Sequence, residues 1–227
     1  GARFVTAKNT YSGYLKGVQV NTTLGWLPAN AVMTGISAKA TAGGDQLQPY
    51  IATAGNYTAD QLVALGMMPV ATRNTIVNGL TDLGVSNASA LTLAQSQAAF
   101  YGAAQVYTNK ATLLSDQEAE AEQKGSGFAP FFSINITPIE NLNIAIKYEM
   151  ATKLELENNT TKDLKTGFLG ENPTKPITKF PDGAKVRNDM PAMLAIGAQY
   201  KLSKLTLSAG ANYYYDKYAN YGHTYDA

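Results

Sequence analysis

Residues able to carry acid–base, nucleophilic or metal chemistry are scarce in this chain of 227 residues. It has no cysteine, and its one histidine is His223. A chain without cysteine forms neither a disulfide framework nor a thiolate metal site. A single histidine near one end gives little support to a lipase or protease, which needs a nucleophile and a base within reach of each other. We therefore expect no enzyme, no metal site and no cofactor, with His223 in an exposed loop near a strand end.

The remaining candidates for polar chemistry are lysines that alternate with apolar residues. Lys147 and Lys153 share their odd-numbered parity with Glu149, Glu155 and Glu157. Alternate residues of a strand point to one face, so these side chains are expected to line one side of a sheet. A lining of this kind suits a water-filled interior. For each lysine, a place in a salt bridge or at a wet rim is the favoured interpretation over ligand binding.

Two stretches alternate regularly between apolar and polar residues. In PFFSINITPIENLNIAIKYEM (130–150) the even positions on both sides of a Pro-Ile-Glu-Asn turn are apolar, and the pattern returns over 192–202 and 205–215 around Ser203-Lys204. Period-two alternation is typical of strands, so the sequence predicts hairpins 128–157 and 192–215. The polar stretch 158–189, with its Gly and Pro residues, is predicted to be a long loop. The main apolar positions are Phe132, Ile134, Ile136, Leu142, Ile144, Ile146, Tyr148, Met150, Leu194, Ile196, Tyr200, Leu202, Leu205, Leu207, Tyr213 and Tyr215.

The predicted turns are very short, very long and very short in succession. Bacterial outer-membrane barrels have tight periplasmic turns, long outer loops and strands that are apolar outward and polar inward. Backbone groups in lipid must all be paired, which forces such a sheet to close. The sequence therefore predicts a mostly β, antiparallel transmembrane β-barrel. A soluble half-buried sheet also alternates, and a soluble β-sandwich with an inserted helical domain is the competing fold.

The composition excludes other classes. Charged residues make up 15% of the chain and the formal net charge is +1, so there is no field strong enough to indicate a nucleic-acid partner. No apolar run is long enough for a transmembrane helix. The strand-like start and the aromatic end favour a segment of a larger protein.

The middle of the chain changes to a helical period. Thr58-Ala59-Asp60-Gln61 is a capping-box pattern, and further helices are predicted over about 72–83 and from near Ser89 onward, the last with an apolar stripe that favours packing among neighbours over a ligand groove. Residues 27–57 are predicted to be loop that can include short helical pieces. The predicted organisation is 1–26 barrel strands, 27–117 a helical extracellular loop insertion and 118–227 barrel strands.

Three stretches, RFVTAKNTY (3–11), IENLNIAIKYEMATKLELENN (139–159) and NDMPAMLAIGAQYKL (188–202), resemble the FadL/TodX family of outer-membrane transporters for long-chain fatty acids and other hydrophobic compounds. The first is similar to a strand with an aromatic residue and then Ala-Lys before a long outer loop. The second is similar to a strand with a Tyr near a Lys-apolar-acid-apolar step, and the third to an apolar-Pro-x-Met entry into a strand. Their order and spacing agree over nearly the whole chain.

The resemblance implies the central part of a fourteen-stranded FadL-like barrel in the outer membrane of a Gram-negative bacterium. It implies passive uptake of long-chain fatty acids or other hydrophobic small molecules, with outer-membrane lipid or detergent around the strands. The family's N-terminal hatch and its kinked strand have no counterpart in these residues. A barrel that serves adhesion or partner interaction through its helical loop is the alternative function.

Capture of a long-chain acid needs an apolar concavity and one or two cations for its carboxylate. The resemblance places Lys8 at the family's Ala-Lys position, with Arg3 nearby on the same strand. Methionine suits a promiscuous apolar surface because its side chain adapts to the ligand. The predicted ligand-binding residues are Lys8, Arg3, Lys147, Lys153, Leu62, Leu65, Met67, Met68, Leu80, Leu83, Phe100 and Tyr101.

Overall fold

A computed structural model describes residues 1–169 and 172–222, which form two compact units. The sheet unit comprises Gly1–Gly13, Glu118–Leu164 and the chain from Phe180 onward, and the helical unit comprises Tyr14–Gln117 and Lys165–Lys179. The helical unit thus begins earlier than the predicted insertion at 27–117 and takes in a second segment. The predicted loop position of His223 lies outside the described residues.

Strands predominate, in antiparallel sheets accompanied by helices, which confirms the prediction of a mostly β, antiparallel chain. The strands are β1 (Ala2–Leu15), β2 (Gln19–Thr22), β3 (Gly25–Pro28), β4 (Gln117–Ile139), β5 (Leu142–Glu149), β6 (Glu155–Lys162), β7 (Lys165–Leu169), β8 (Asn172–Thr178), β9 (Lys185–Arg187), β10 (Met193–Leu202) and β11 (Leu205–Tyr214). The helices are α1 (Ala29–Asp45), α2 (Gln48–Ala54), α3 (Ala59–Ala64), α4 (Val70–Asp82) and α5 (Leu93–Leu113).

The strands of the sheet unit form one sheet in the order β11-β10-β5-β4-β6-β9, and β1 also pairs with β4. Short turns make the two predicted hairpins: β4 and β5 meet at Ile139–Leu142, and β10 and β11 meet at Leu202–Leu205. Ser203 adopts a left-handed conformation with φ 54° in the second turn, as tight hairpins require. Hydrogen bonds in both directions join Gly1 to Phe131 and set the register of β1 on β4.

Two neighbouring strands are interrupted at the same level of the sheet. β5 ends at Glu149 and the chain resumes as β6, while β9 ends at Arg187 and the chain resumes as β10. Between them an isolated bridge joins Thr152 to Met190. The pairs Glu149–Met193, Thr152–Met190 and Glu155–Arg187 advance in equal steps on both strands. β5–β6 and β9–β10 are therefore the two halves of one long strand pair.

Proline accounts for the position of this interruption. Pro130 on β4 accepts a hydrogen bond from the N–H of Met150, but a proline has no N–H to return to the facing strand. Pro191 lies in the corresponding gap between β9 and β10. Pro191 lies two residues before β10 begins, where a missing donor is tolerated.

The predicted loop over 158–189 is wrong. β6 continues to Lys162, β7 and β8 pair with each other in the helical unit, and β9 pairs with β6. The buried face of β6 is held by polar bonds: Asn158 donates to the Pro181 carbonyl and the Thr160 hydroxyl donates to the Phe180 carbonyl. A strand buried through amides and hydroxyls lacks the apolar alternation by which strands are predicted.

The helical unit has its own apolar core, formed mainly by Leu47, Leu62, Leu80, Leu93 and Phe100. The predicted capping box at Thr58 is confirmed, and Thr92 makes a second one at the start of α5. None of the helices within the described ranges is long and apolar enough to cross a bilayer.

Helix α1 (Ala29–Asp45) corrects the prediction that 27–57 is loop with at most short helical pieces. Its buried residues include Ser37, Ala40 and Gly44, and the Ser37 hydroxyl donates to the Ala104 carbonyl of α5 at 2.8 Å. A Cβ on Gly44 would collide with the Tyr101 ring. Small residues let α1 and α5 approach closely, and a face made of them lacks the apolar stripe that predicts an amphipathic helix.

Candidate functional site on the two faces of the sheet

The apolar side chains of β4, β5, β10 and β11 lie on one face of the sheet. The register pairs Ile134 with Ile146, Ile146 with Ile196, and Ile196 with Ala211, so the apolar positions of all four strands form cross-strand rows. We call the surface made by Phe132, Ile134, Ile136, Leu142, Ile144, Ile146, Tyr148, Leu194, Ile196, Ala198, Tyr200, Leu202, Leu205, Leu207, Ala209, Ala211 and Tyr213 the apolar face.

The apolar face is open rather than packed. Phe132 is 67% exposed, Ile134 64% and Leu207 54%. A water-soluble protein rarely exposes a contiguous apolar patch beyond a few hundred Å². Within the described residues no layer of protein covers these side chains.

One end of the apolar face carries a row of large aromatic residues. Phe132 pairs with Tyr148, Tyr148 with Leu194, and Leu194 with Tyr213, so the row has aromatic residues on three strands and a leucine on the fourth. The Tyr148 and Tyr213 rings both pack edge-on against Tyr215. Aromatic residues whose one end is polar are enriched where apolar and aqueous surroundings meet.

Beyond the aromatic row the same face becomes charged. Lys8 of β1 contacts Glu122 of β4 at 2.6 Å, and Glu122 also pairs with Lys124. On the neighbouring strands Lys185 contacts Glu155 at 3.0 Å. We call this set, Lys8, Glu122, Lys124, Glu155, Glu157 and Lys185, the charged band. Along β4 the even positions therefore run from Lys124 through Phe128 and Phe132 to Ile134 and Ile136, a change from charged to aromatic to apolar on one face.

The opposite face of the same strands is polar and made of small residues. We call Ser133, Asn135, Asn143, Ala145, Lys147, Ala195, Gly197, Gln199, Ser208, Gly210 and Asn212 the polar face. A concavity of about 640 Å³ lies there, with Ser133, Asn135, Lys147 and Asn212 among its lining residues. Amides, hydroxyls and bare backbone suit contact with water or a polar group rather than with a hydrocarbon chain.

A charged cluster borders this concavity at the level of the strand interruption. The side chain of Glu149 is only 4% exposed and forms ion pairs with Arg3 and with Lys147, the latter at 2.9 Å. The Lys147 ammonium also lies 4.6 Å from the centre of the Phe131 ring. Two partly exposed cations surround one buried carboxylate, so the cluster carries one positive charge in excess and has donors turned toward solvent.

On the other side of the interruption the polar face is filled. The Gln123 amide oxygen accepts from Tyr11 at 3.1 Å, and its nitrogen donates to Asn158 at 2.9 Å. The Tyr11 ring stacks on Phe180 with centroids 4.8 Å apart. Buried polar groups that are bonded in this way hold a region in one arrangement.

Two of the predicted cations, Arg3 and Lys147, are brought together by the structure, whereas Lys8 and Lys153 lie elsewhere. Lys8 belongs to the charged band, so its side chain projects from the face opposite to Lys147. Neighbouring residues of β1 lie on alternate faces of the sheet. The register of β1 on β4 places the even-numbered residues of β1, including Lys8, on the same side as the apolar face. Lys153 is exposed in the gap between β5 and β6. The parity prediction fails there because the alternation shifts at the gap: buried Leu154, just before β6, and buried Leu156 on β6 flank an exposed Glu155.

The residues predicted to line an apolar groove divide into two groups. Leu62, Met68, Leu80 and Phe100 are buried in the core of the helical unit, with Leu83 packed against it, so these five form no open groove. These side chains are apolar, as the lining of a groove would be, but other residues of the core cover them. The exposed members are Leu65 at 59%, Met67 at 53% and Tyr101 at 39%.

An exposed ion pair joins α3 to α4 in the helical unit. Arg73 donates to both carboxylate oxygens of Asp60, at 2.6 and 3.2 Å, and these bonds lower the pKa of Asp60 and raise that of Arg73. The hydroxyl of Tyr101 donates to Asp45 at 2.8 Å, which raises the pKa of Tyr101. Both contacts join separate helices or helix ends and have no reactive geometry.

No cluster of three or more histidine or acidic residues with metal-binding geometry occurs in the part of the chain that the structure describes. Comparison of the chain with protein-family models, curated proteins and solved structures finds no match. Sequence reasoning placed Glu149 on a polar lining but did not single it out. The shared parity of Glu149 and Lys147 was the signal in the sequence that could have paired them. The third member of the cluster, Arg3, could be placed beside them only from the long-range register of β1 on β4.

Proposed function

We propose that β4, β5, β10 and β11 belong to an antiparallel transmembrane β-barrel in an outer membrane, with the apolar face toward lipid. The observation that carries this proposal is the exposed apolar face, which ends in an aromatic row and then in a charged band. Transmembrane barrels have an outward apolar band flanked by aromatic girdles. The polar face on the other side of the same strands supports a wet interior.

The backbone at the edge of the sheet supports the proposal that the barrel closes. β11 ends the strand order, and its residues are exposed on both faces. In hydrocarbon an unpaired strand edge leaves N–H and C=O groups without partners, at a cost of several kcal/mol for each group. Further strands, in the number implied by the resemblance to the FadL/TodX family, would supply those partners.

Cysteine scanning tests which face meets lipid, because the chain has no cysteine of its own. Single cysteines at Ile134 and Ile196 are compared with cysteines at their neighbours Asn135 and Ala195 in lipid vesicles. We expect a membrane-impermeant maleimide to label the second pair quickly and the first pair slowly, with a lipid-soluble maleimide reversing that order. Equal labelling of all four by the impermeant reagent would refute the membrane location.

We propose that the barrel admits long-chain fatty acids or other hydrophobic small molecules passively. Support comes from the resemblance, from the excess positive charge of Arg3 and Lys147 about Glu149, and from apolar side chains exposed on the helical unit. In this proposal the carboxylate of a ligand contacts Arg3 and Lys147, since cations paired with a single carboxylate retain free donors. The ligand's tail would have to find its apolar contacts beyond the small polar residues of the polar face.

Uptake by Gram-negative cells that lack their own fatty-acid route tests this function. Cells are preferable to phospholipid vesicles because protonated fatty acids cross a simple bilayer unaided. We expect labelled oleate uptake to depend on the protein and to fall when Arg3 and Lys147 are both changed to Met. Lys8→Met is the matched control, since Lys8 projects from the opposite face. Uptake that is indifferent to the protein would contradict the proposal.

A second function, surface adhesion through the helical unit, is favoured by one observation. Leu65, Met67 and Val70 are large, apolar and exposed at the turn between α3 and α4. Changing the three together to Ser should abolish partner binding and spare oleate uptake if adhesion is the role. The reverse result would assign the turn to ligand capture.

A further inference from the structure

The charged band continues the apolar face beyond its aromatic residues. Counting along β1 and β4 from the hydrogen-bonded pair next to the start of β1 places Phe4 opposite Phe128 and Lys8 opposite Lys124. Both phenylalanines are more than half exposed. A strand rises about 3.3 Å per residue and is tilted by about 40° in a barrel, so Lys124 lies roughly 10 Å beyond Phe128. On the proposed lipid side, that is the layer of polar head groups outside the hydrocarbon.

Lys185 is the lysine of the charged band whose charge is fully compensated. Its ammonium lies 3.0 Å from Glu155 and 3.9 Å from Glu157. The register pairs Glu157 with Lys124 on one side and with Lys185 on the other, so both lysines lie in one row across the sheet. Two carboxylates therefore face the ammonium at the β9 end of that row.

Lys124, at the other end of the row, is compensated only in part. It shares the carboxylate of Glu122 with Lys8, whose ammonium lies 2.6 Å from that carboxylate. The side chains of both lysines are more than half exposed. An ammonium has three donors, so two cations that share one carboxylate keep donors for a further anion. One positive charge is thus in excess at this point of the charged band.

Two adjoining concavities of the sheet unit meet at Lys124 and Asn159. One has a volume of about 370 Å³ and includes Asp182 in its lining. The other has a volume of about 350 Å³ and includes the hydroxyl residues Thr10 and Thr161. Amides, hydroxyls and carboxylates are the groups that hydrogen-bond to sugar hydroxyls, and a lysine among them supplies the charge that a phosphate requires.

We propose that the surface around Lys124 and Asn159 binds the phosphorylated sugar head group of a glycolipid in the outer leaflet, with Lys124 on a phosphate and Asn159 on a sugar hydroxyl. This inference rests on the proposed barrel. The acyl chains of the same lipid lie along the apolar face past Phe128, so chains and head group meet one continuous surface. That continuity favours a lipid over a soluble partner, and the excess positive charge favours a phosphorylated head group over a neutral one.

Native mass spectrometry of the whole chain, released from detergent micelles, measures lipid binding independently of oleate uptake. The probes are lipid A and the same lipid stripped of its phosphates. We expect the unchanged protein to bind lipid A about tenfold more tightly than the stripped lipid, because a charge-assisted contact is made only with the phosphate. Lys124→Gln should remove that preference, and Lys124→Arg, which keeps the charge, should retain it. Asn159→Ala should weaken the binding of both lipids about threefold and leave their ratio unchanged, since a neutral hydrogen bond is lost from each.

Lys185→Gln is the matched control, because it removes the same charge from the same row but from a lysine that two glutamates already compensate. It should keep the preference for lipid A. Equal loss of the preference in Lys124→Gln and Lys185→Gln would overturn the site, since the whole charged band would then attract the lipid. Binding of inorganic phosphate with the affinity of lipid A would overturn the lipid as the occupant.

The same measurements separate failure of this site from failure of the barrel. Absence of any preference for lipid A in the unchanged protein, with a cysteine at Ile134 still protected from the impermeant maleimide, would overturn the head-group site alone. Equal labelling of Ile134 and Asn135 by that reagent would overturn the proposed barrel, and the head-group site with it.

Discussion

Glu149 shows how unequal burial within an ion-pair cluster decides which substitution is costly. Its carboxylate is almost fully buried, whereas Arg3 and Lys147 remain about two-fifths exposed. Removing the carboxylate leaves two cations that water can solvate. Removing both cations leaves a buried charge with no ionic partner, the more expensive situation.

We therefore expect Arg3→Met with Lys147→Met to lower the free energy of unfolding by about 3–5 kcal/mol. Glu149→Gln should lower it by about 1–2 kcal/mol, since it loses charged hydrogen bonds but buries no bare charge. Urea unfolding in lipid vesicles, followed by tryptophan fluorescence and circular dichroism, measures both values. The opposite ranking would show that the excess positive charge, rather than the buried carboxylate, dominates the cluster.

The exposed pair of Asp60 and Arg73 predicts a pH dependence of the helical unit. The hydrogen bonds from Arg73 hold the pKa of Asp60 below its ordinary value of 3.8. A carboxyl with a lowered pKa in the folded state stabilises the fold fully above the unfolded pKa, and that contribution is lost as the pH falls through the folded pKa. The loss should be small, since the pair is exposed and screened by salt.

Thermal midpoints of the protein and of Asp60→Asn at pH 6 and pH 3 check this at low ionic strength, by circular dichroism at 222 nm. The difference between the two proteins should shrink on acidification. Arg73→Met should behave like Asp60→Asn, and the double variant should add nothing further. A difference that is independent of pH would assign the stabilisation to packing.

The face of a site residue could be predicted from the sequence where it depended on the alternation within a single hairpin. The parity of Lys147 with its neighbours placed it on the polar face, and β5 keeps that alternation. The same rule failed for Lys153, because the gap after β5 shifts the parity. It could not be applied to Lys8, whose face depends on a register between residues more than a hundred positions apart in the chain. Burial of Leu62 and Phe100 depends likewise on contacts between separate helices.

At the scale of elements, the contact of α1 with α5 predicts opposite effects for two glycines of one helix. Gly35 has open space around it, whereas a Cβ on Gly43 would meet the Phe100 ring at 2.6 Å. Gly35→Ala should stabilise the protein by about 0.5–1 kcal/mol through helix propensity. Gly43→Ala should destabilise it by about 1–3 kcal/mol, because the ring must leave its packed position.

Unfolding of the two variants by urea, monitored at 222 nm, provides the comparison, and Gly102→Ala on α5 is a second control with open space. Equal stabilisation by all three substitutions would mean that α1 and α5 separate readily. The α1–α5 contact would then contribute little to the core of the helical unit.

The elements that the sequence predicted well are those whose signal is local. The hairpins of β4–β5 and β10–β11 follow from alternation and tight turns, α3 follows from its capping box, and α5 follows from its apolar stripe. Elements stabilised by tertiary contacts were not predicted: α1 packs through Ser37 and Ala40, and β6 is held by hydrogen bonds of Asn158 and Thr160. Small and polar residues at such contacts carry no periodic apolar signal.

At the scale of the whole molecule, the two units differ in what stabilises them. The helical unit buries Leu47, Leu62, Leu80 and Leu93 completely. The hairpins β4–β5 and β10–β11 are a single layer, exposed on the apolar face and open on much of the polar face. Burial of apolar area contributes about 25 cal/mol per Å², so a layer with no covering surface gains little of it in water. Lipid chains would supply the missing cover.

The difference predicts how each unit responds when detergent is withdrawn. In micelles we expect backbone amides of β5, β10, α1 and α5 all to resist hydrogen exchange. After dilution below the critical micelle concentration, amides of β5 and β10 should exchange rapidly or the chain should associate through the apolar face, while α1 and α5 stay protected by their own core. Ile134→Lys, on the apolar face, should reproduce the effect within micelles, at a cost of about 2–4 kcal/mol for a charge facing hydrocarbon. Asn135→Lys, one residue away on the polar face, should leave protection unchanged. Persistent protection of β5 and β10 in a monomer free of detergent would mean that protein, and not lipid, covers the apolar face.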